Sequence, residues 1–595
     1  MNKFFQQTLA SFLGSIAGLF VFFALGASSL LVLVIALLLS DTTLQLEDKS
    51  VLVFNLSSQI KDSQSDSSLE DILLADEIEI ITLRQVIEAI EKATEDDRIV
   101  ALFLDGRRGS INSGYASLTE IRSALERFRA SGKKIIAYNV SWNEKDYYLG
   151  SVADTIIINP MGLMEIDGFS SPQLFFAAAL EKYGIGVQVI RAGKYKAAIE
   201  PFTRNNYSPE SRQQTEELLT DLWNIYRNKV SVSRKLTLNK IQVIADNQAI
   251  LNPAEAQTFG LIDKVAYFDE VVAYLQTITN SNKRESFPQT SLKKYLELSQ
   301  NIQTSKNKIA LLYTEGTIVG GEGNLGQIGS ERWAKELKKL RENEAIKGVV
   351  LRINSPGGSA VASDIILREL QLTAQQKPIV VSMGNVAASG GYWIATAGEK
   401  IFAEKNTITG SIGVFGLLFN LQEIANDNGI NYDVVKTGKF ADLNVGLRPK
   451  TEAELNIYQK NVDQFYNLFL EKVAEARNLS PEKVAAIAQG RVWSGEDAQT
   501  LGLVDEIGGL EAAIEYTVNK LGLDDDWEIE EYPEKRSWET EIWEKLAETK
   551  LQEKINAPET MTAAIWQLKS ELVIWEVLQE PNNIYAILPF KLEIK

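Results

Sequence analysis

The ten residues A-Q-T-F-G-L-I-D-K-V beginning at Ala256 recur as A-Q-T-L-G-L-V-D-E-I beginning at Ala498, and this recurrence constrains the fold more than any other feature of the chain. Two further pairs keep the same order. R-A-G-K-Y-K from Arg191 answers to K-T-G-K-F-A from Lys436, and Y-Y-L-G-S-V-A-D from Tyr147 to Y-W-I-A-T-A-G-E from Tyr392. The offsets are 242, 245 and 245 residues. Solenoid repeats are only about 20–50 residues long, so a period of this size is a whole domain. One domain is therefore present twice within the 595 residues.

Each copy reads as α/β. Short runs rich in Ile, Val and Leu, at Ile99 to Leu104, Lys134 to Tyr138, Lys347 to Ile353 and Pro378 to Met383, have the length and composition of buried strands. Amphipathic stretches such as Ser117 to Ser131 and Ser359 to Gln375 alternate with them, the pattern that builds a helix-covered sheet. The expected organisation is an anchor over residues 1–45, a first copy over 46–285, a linker over 286–307, a second copy over 308–523 and an acidic, tryptophan-bearing extension over 524–595.

The anchor is read from charge and length. Nothing ionisable lies between Lys3 and Asp41, and Phe12 to Leu39 is dominated by Phe, Leu, Val, Ile, Ala and Gly. About 20 apolar residues cross a bilayer, whereas a cleavable signal peptide has an apolar region of only about 7–15. A single transmembrane helix is expected here. Lys3 precedes it and Asp41, Glu47 and Asp48 follow, so the positive-inside bias puts the amino terminus in the cytoplasm and the bulk of the chain outside it.

Two zeros narrow the chemistry. The chain has no histidine and no cysteine, which excludes a Ser-His-Asp triad, a thiol nucleophile, a thiolate zinc site and any imidazole ligand. A hydrolase of this composition needs Ser or Thr as nucleophile and Lys, Asp, Glu or Tyr as base. No cofactor or metal is expected. The net charge of −18 argues against a nucleic-acid surface, which needs a basic stripe.

The two copies differ where function should lie. In the second, the strand ending at Met383 runs into G-N-V-A-A-S-G-G-Y-W, which carries Ser389. The first has V-S-W-N-E-K-D-Y-Y there, one residue shorter, with Glu144 or Lys145 opposite Ser389. In the R-A-G-K-Y-K segment the relation reverses: Lys194 has a counterpart in Lys439, but Lys196 stands opposite Ala441. One copy holds a serine and the other a lysine. Lysine acts as a base only when neutral, and desolvation among Tyr195, Ala197, Ala198, Ile199, Pro201 and Phe202 would lower its pKa. Glu200 is the threat, because a carboxylate pointing inward would keep the lysine charged. Backbone amides of Gly390 and of Gly358, in the turn N-S-P-G-G-S, are candidate oxyanion donors. Ser411, in T-G-S-I-G-V-F, is the candidate for orienting the lysine. Taken singly these segments are ordinary strand-to-helix turns and a surface lysine; their complementarity across the repeat is the signal.

With these segments, and with Y-K-A-A-I-E-P-F from Tyr195, the chain resembles the signal peptide peptidase A (protease IV) family of serine-lysine peptidases in its long double-domain form. The resemblance implies tandem duplicated Clp protease/crotonase-like domains behind an N-terminal transmembrane helix. It implies a Ser389–Lys196 dyad and a homotetramer in a bacterial inner (cytoplasmic) membrane. The implied substrates are apolar signal peptides left in the membrane after preprotein processing. The rival within the fold class is a crotonase-like acyl-CoA enzyme, which would need Glu165 or Glu404 in its pocket. The rival from another class is a scaffold whose duplicated domains have lost catalysis and only organise membrane partners.

Overall fold

The strands of the first copy are near-continuous apolar runs such as I-V-A-L-F-L-D, the composition of a parallel sheet buried on both faces. In the computed structural model, which describes residues 46–63, 79–282, 286–299, 305–324, 326–533 and 584–588, they form a six-stranded sheet. Its spatial order is Lys264–Val265, Thr155–Ile158, Lys134–Asn139, Ile99–Asp105, Ser50–Asn55, Gln289–Ser291, and all neighbours are parallel. The second copy repeats that order with Glu506–Ile507, Lys400–Ala403, Ile379–Ala388, Ile346–Ser355, Lys308–Glu315 and Glu528–Tyr532, again parallel.

The duplication extends to individual bonds. The Tyr147 hydroxyl donates to the Leu261 carbonyl at 2.6 Å, and the Tyr392 hydroxyl donates to the Leu503 carbonyl at 2.8 Å. Arg234 pairs with Asp263 as Arg477 pairs with Asp505. Each arginine ends a helix of 26 residues, Pro209–Arg234 or Glu452–Arg477.

Two expected boundaries move for one reason. Residues 286–307 were expected as a linker, but Gln289–Ser291 is the edge strand of the first sheet and Leu292–Leu298 is a helix. Residues 524–595 were expected as an extension beyond the second copy, yet Glu528–Tyr532 closes the second sheet in the equivalent place. Short edge strands carry too few residues to show a period, so the sequence reads them as connections. Trp527 falls within the described part of the tail; Trp538, Trp543, Trp566 and Trp575 lie outside the described residues. So does the apolar stretch 12–39, and among the described helices none is long and apolar enough to cross a membrane.

From Lys49 onward the chain is one unit, and the copies interlock within it. A third sheet is shared. Gly186–Ala192 of the first copy pairs antiparallel with Val414–Asn420 of the second, from Val414 opposite Ala192 to Asn420 opposite Gly186. A second clasp is ionic. Fully buried Arg352 reaches Glu120 at 2.7 Å and Asp62 at 3.2 Å, both from the first copy, and Ser382 at 2.9 Å.

Candidate active site

Ser389 follows the strand Ile379–Ala388 and precedes the helix Gly390–Ala395. The turn between them is sharp: Ser389 has φ 56° and ψ −114°, a left-handed conformation costing a non-glycine residue about 1–3 kcal/mol. Its amide donates to the Gly410 carbonyl at 2.8 Å and its carbonyl accepts from Trp393 at 2.8 Å, which hold that conformation. Such a turn lifts a side chain off the sheet end, and here Ser389 is completely buried.

Lys196 comes from the first copy, in the turn after Gly186–Ala192, and is held by the second. The Tyr195 amide donates to the Gln489 carbonyl at 2.9 Å, and the Gly490 amide to the Ile412 carbonyl at 2.8 Å. Lys196 is completely buried. Its Nζ lies 2.7 Å from Ser389 Oγ, 2.9 Å from Ser411 Oγ and 3.0 Å from the Ser411 carbonyl oxygen. Burial drives its pKa well below the ordinary lysine value. Glu200 is buried nearby, but its carboxylate accepts from the Ser208 hydroxyl at 2.5 Å and the Ser208 amide at 3.0 Å. The suspected counter-charge is thus committed elsewhere.

The neighbouring lysine is different. Lys194 is exposed, with Nζ 4.7 Å above the Tyr195 ring, as Lys439 lies 5.2 Å above the Phe440 ring. The pair repeats in both copies as a surface contact. Ala441, opposite Lys196, is exposed.

Where the second copy carries Ser389, the first closes its own version of the site. Asn143 caps the helix Glu144–Gly150, and buried Glu144 accepts from the Asp167 amide at 2.7 Å and the Gly168 amide at 3.2 Å. Burial raises the Glu144 pKa to about 8. Of the rival acids, Glu165 lies in the strand Met164–Ile166, paired with Ala249–Leu251 of the first copy. Glu404, pushed up to about 7 by burial, is not among the groups bonded to Lys196.

The glycine turn stands beside the serine. Gly357 has φ +97°, and a Cβ there would lie 2.6 Å from the Gly390 nitrogen, so no side chain fits. The Gly357 amide is committed to Ser355 Oγ at 3.2 Å, whereas Gly358 lies in the strand Gly357–Ser359.

Sequence comparison missed Gly490. At φ +76°, a Cβ there would stand 2.7 Å from the Lys196 Cβ. Gly490→Val is therefore expected to displace Lys196 and lower kcat/KM for an apolar peptide by about a hundredfold while the fold persists by circular dichroism. Undiminished kcat/KM would show that Lys196 does not depend on this contact. The signal was present as A-Q-G-R-V-W, but nothing in sequence placed that loop against Lys196.

The profile of peptidase family S49 matches residues 127–281 and 371–524, once in each copy, and that of Clp protease matches residues 300–408. "Protease 4" of Haemophilus influenzae is 34% identical over 523 residues, covering 85% of this chain and 84% of that protein. "Serine protease SPPA, chloroplastic" of Arabidopsis thaliana is 33% identical over 487 residues, 80% of this chain and 69% of that protein. "Putative signal peptide peptidase SppA" of Enterococcus faecium is 36% identical over 231 residues, 38% of this chain and 67% of that protein. The matches fall on both halves of a duplicated α/β chain, and this protein belongs to peptidase family S49 as a protease of the protease IV type.

Proposed function

We propose that the chain is a membrane-anchored serine endopeptidase in which Ser389 is the nucleophile and Lys196 the general base. The observation that carries this is a buried amine 2.7 Å from a serine hydroxyl, with no carboxylate among its hydrogen-bond partners. A neutral amine has two hydrogens and one lone pair. The hydrogens go to the Ser411 carbonyl and hydroxyl oxygens, which leaves the lone pair for the Ser389 proton. Ser411 thus acts as the positioning residue.

Ser389 Oγ adds to a peptide carbonyl as Lys196 takes its proton. The Gly358 and Gly390 amides donate to the oxyanion. Lys196 then passes the proton to the leaving nitrogen, and water releases the acyl group by the reverse route. The substrates are apolar peptide segments at a membrane, remnants of signal peptides among them. The apolar stretch 12–39 and the charges that flank it support an anchor with the active site outside the cytoplasm, and the family resemblance supports a homotetramer.

The test is a pH profile with chemical labelling. Only neutral Lys196 accepts a proton, so kcat/KM should rise with pH through the lowered lysine pKa and then level off. A serine-directed phosphonylating reagent should add its mass to wild type and not to Ser389→Ala. A flat profile, or labelling of both proteins alike, would count against the dyad.

A further inference from the structure

Val492–Ser494 is an edge strand of the second sheet, so part of its backbone has no strand beside it. A buried edge amide must find a side chain or leave a costly gap. The Val492 amide finds Gln214, on the helix Pro209–Arg234 of the first copy, and donates to its Oε1 at 3.0 Å. The other end of the same side chain, Nε2, donates to the Tyr195 carbonyl at 3.4 Å. That carbonyl belongs to the peptide that leads into Lys196. Gln214 is 1% exposed.

Each contact leads to a member of the site. Val492 lies opposite Gly410, whose carbonyl accepts from the Ser389 amide at 2.8 Å. The neighbouring Arg491 offers its carbonyl to the Ser411 amide at 2.6 Å. One side-chain amide thus joins the backbone that carries Lys196 to the backbone that frames Ser389 and Ser411. Its orientation is not free. A backbone N–H only donates and a carbonyl only accepts, so the oxygen must face Val492 and the nitrogen Tyr195.

The helix grips the same two segments again one turn on. Glu217, three residues along and on the same face, is ion-paired with Arg491. The Arg491 guanidinium lies 5.3 Å from the Tyr195 ring centre and 4.1 Å from that of Trp493. Comparison of the copies points the same way. The helices Pro209–Arg234 and Glu452–Arg477 match end to end at an offset of 243, which puts Ile457 opposite Gln214. As with Lys196 and Ala441, the polar residue occurs only in the copy that supplies the lysine.

We propose that Gln214 is a positioning residue for Lys196: it fixes the lysine turn of the first copy against the Ser389 and Ser411 frame of the second, and this rests on the peptidase reading above. None of the bonds of Lys196 Nζ is to Gln214, so its effect passes through the placement of the lysine. The charged groups nearby do not substitute for it. Arg491 is paired with Glu217, Glu200 is turned to Ser208, and Lys194 stays at the surface over the Tyr195 ring.

The test compares kcat, KM and the pH dependence of kcat/KM for an apolar fluorogenic peptide, using the full chain in detergent micelles. Wild type is set against Gln214→Met, which keeps the length without the polar ends, and Gln214→Asn, which keeps the amide but is one methylene short of spanning both partners. Both should lower kcat by about tenfold to a hundredfold and leave KM within about twofold, since a small misplacement of a reacting group costs that much. A lysine no longer fully buried regains water, so the rise of kcat/KM should move to higher pH in both. Ile457→Met, at the counterpart position, should change none of the three. Either folded variant, judged by circular dichroism, decides the outcome. Unchanged kcat with an unmoved pH rise would overturn the positioning role and leave the peptidase reading standing. So would a loss confined to KM, which would assign Gln214 to substrate binding, or a fall in kcat without a pH shift, which would mark general loosening. Failure of both variants to fold would make Gln214 a residue of the fold and overturn the role as well. No peptide hydrolysis by wild type would overturn the peptidase reading and this inference together.

Discussion

Lys196→Ala and Ser389→Ala should each lower kcat/KM for an apolar peptide by at least about a thousand-fold, and combining them should cost little more than either alone. Lys194→Ala should leave the rate unchanged. The contrast follows from environment rather than residue type. Lys194 is exposed over a ring, whereas Lys196 is buried against Ser389 and Ser411. Two residues acting on one proton form a unit, so removing either abolishes the same step. Full activity in Lys196→Ala would sink the dyad.

The same burial carries a stability cost with a definite sign. The folded pKa of Lys196 is depressed, so between that lowered value and the unfolded value of about 10.4 the unfolded chain binds a proton that the folded chain forgoes. Stability therefore increases as pH rises towards that value. Lys196→Met keeps the apolar stem without the amine, and should be more stable than wild type at neutral pH by about 0.5–2 kcal/mol. Thermal unfolding at neutral and alkaline pH checks this; the gain should shrink as pH rises. A residue that is inactive when replaced, but whose replacement stabilises, is kept for chemistry.

The second large effect concerns the clasp between the copies. Arg352→Ala should lose about 3–5 kcal/mol, because it strands Glu120 and Asp62 in the interior without their cation. Burial opposes the Arg352 charge, yet Asp62 and Glu120 together outweigh it and hold its pKa above the usual arginine value. Burial pushes Glu120 upward further than Arg352 draws it down. Glu120 also accepts from the Leu510 amide of the second copy at 2.6 Å, so two of its bonds cross the repeat. Replacing all three ionic residues by apolar ones of similar volume should recover most of the loss. Denaturant unfolding of wild type, Arg352→Ala and the triple variant tests this. A loss below 1 kcal/mol in Arg352→Ala would mean that the cluster is solvated. Arg352 lies on the strand leading to Asn354-Ser355-Pro356-Gly357-Gly358, so the cluster also steadies the glycine turn.

Much was legible before any fold was known. The repeat announced itself in helix-and-turn segments because both copies make the same contact there: the Tyr147 and Tyr392 hydroxyls donate to the Leu261 and Leu503 carbonyls of the segments that begin at Ala256 and Ala498. The absence of histidine removed the commonest base. Comparing copies separated Lys196 from Lys194, since a residue with a counterpart serves the shared fold and one without serves something else. The edge strands Gln289–Ser291 and Glu528–Tyr532 were not legible, because three to five residues fall below any detectable period. Gly490 was invisible for another reason: its constraint comes from Lys196, far away in the chain.

By itself, then, the sequence pointed to a duplicated α/β chain and a restricted choice of catalytic groups, both consequences of local pattern and composition. It singled out Lys196 by comparison of the copies, and Ser389 more by the family resemblance. Tertiary structure alone decided that these two side chains meet. They lie 193 residues apart, in different copies, and become neighbours because Gly186–Ala192 and Val414–Asn420 pair in one sheet. It alone turned Glu200 aside to Ser208, and it alone set Gln214 between Tyr195 and Val492. Burial and long-range strand pairing are properties of the packed chain, and no segment read alone contains them.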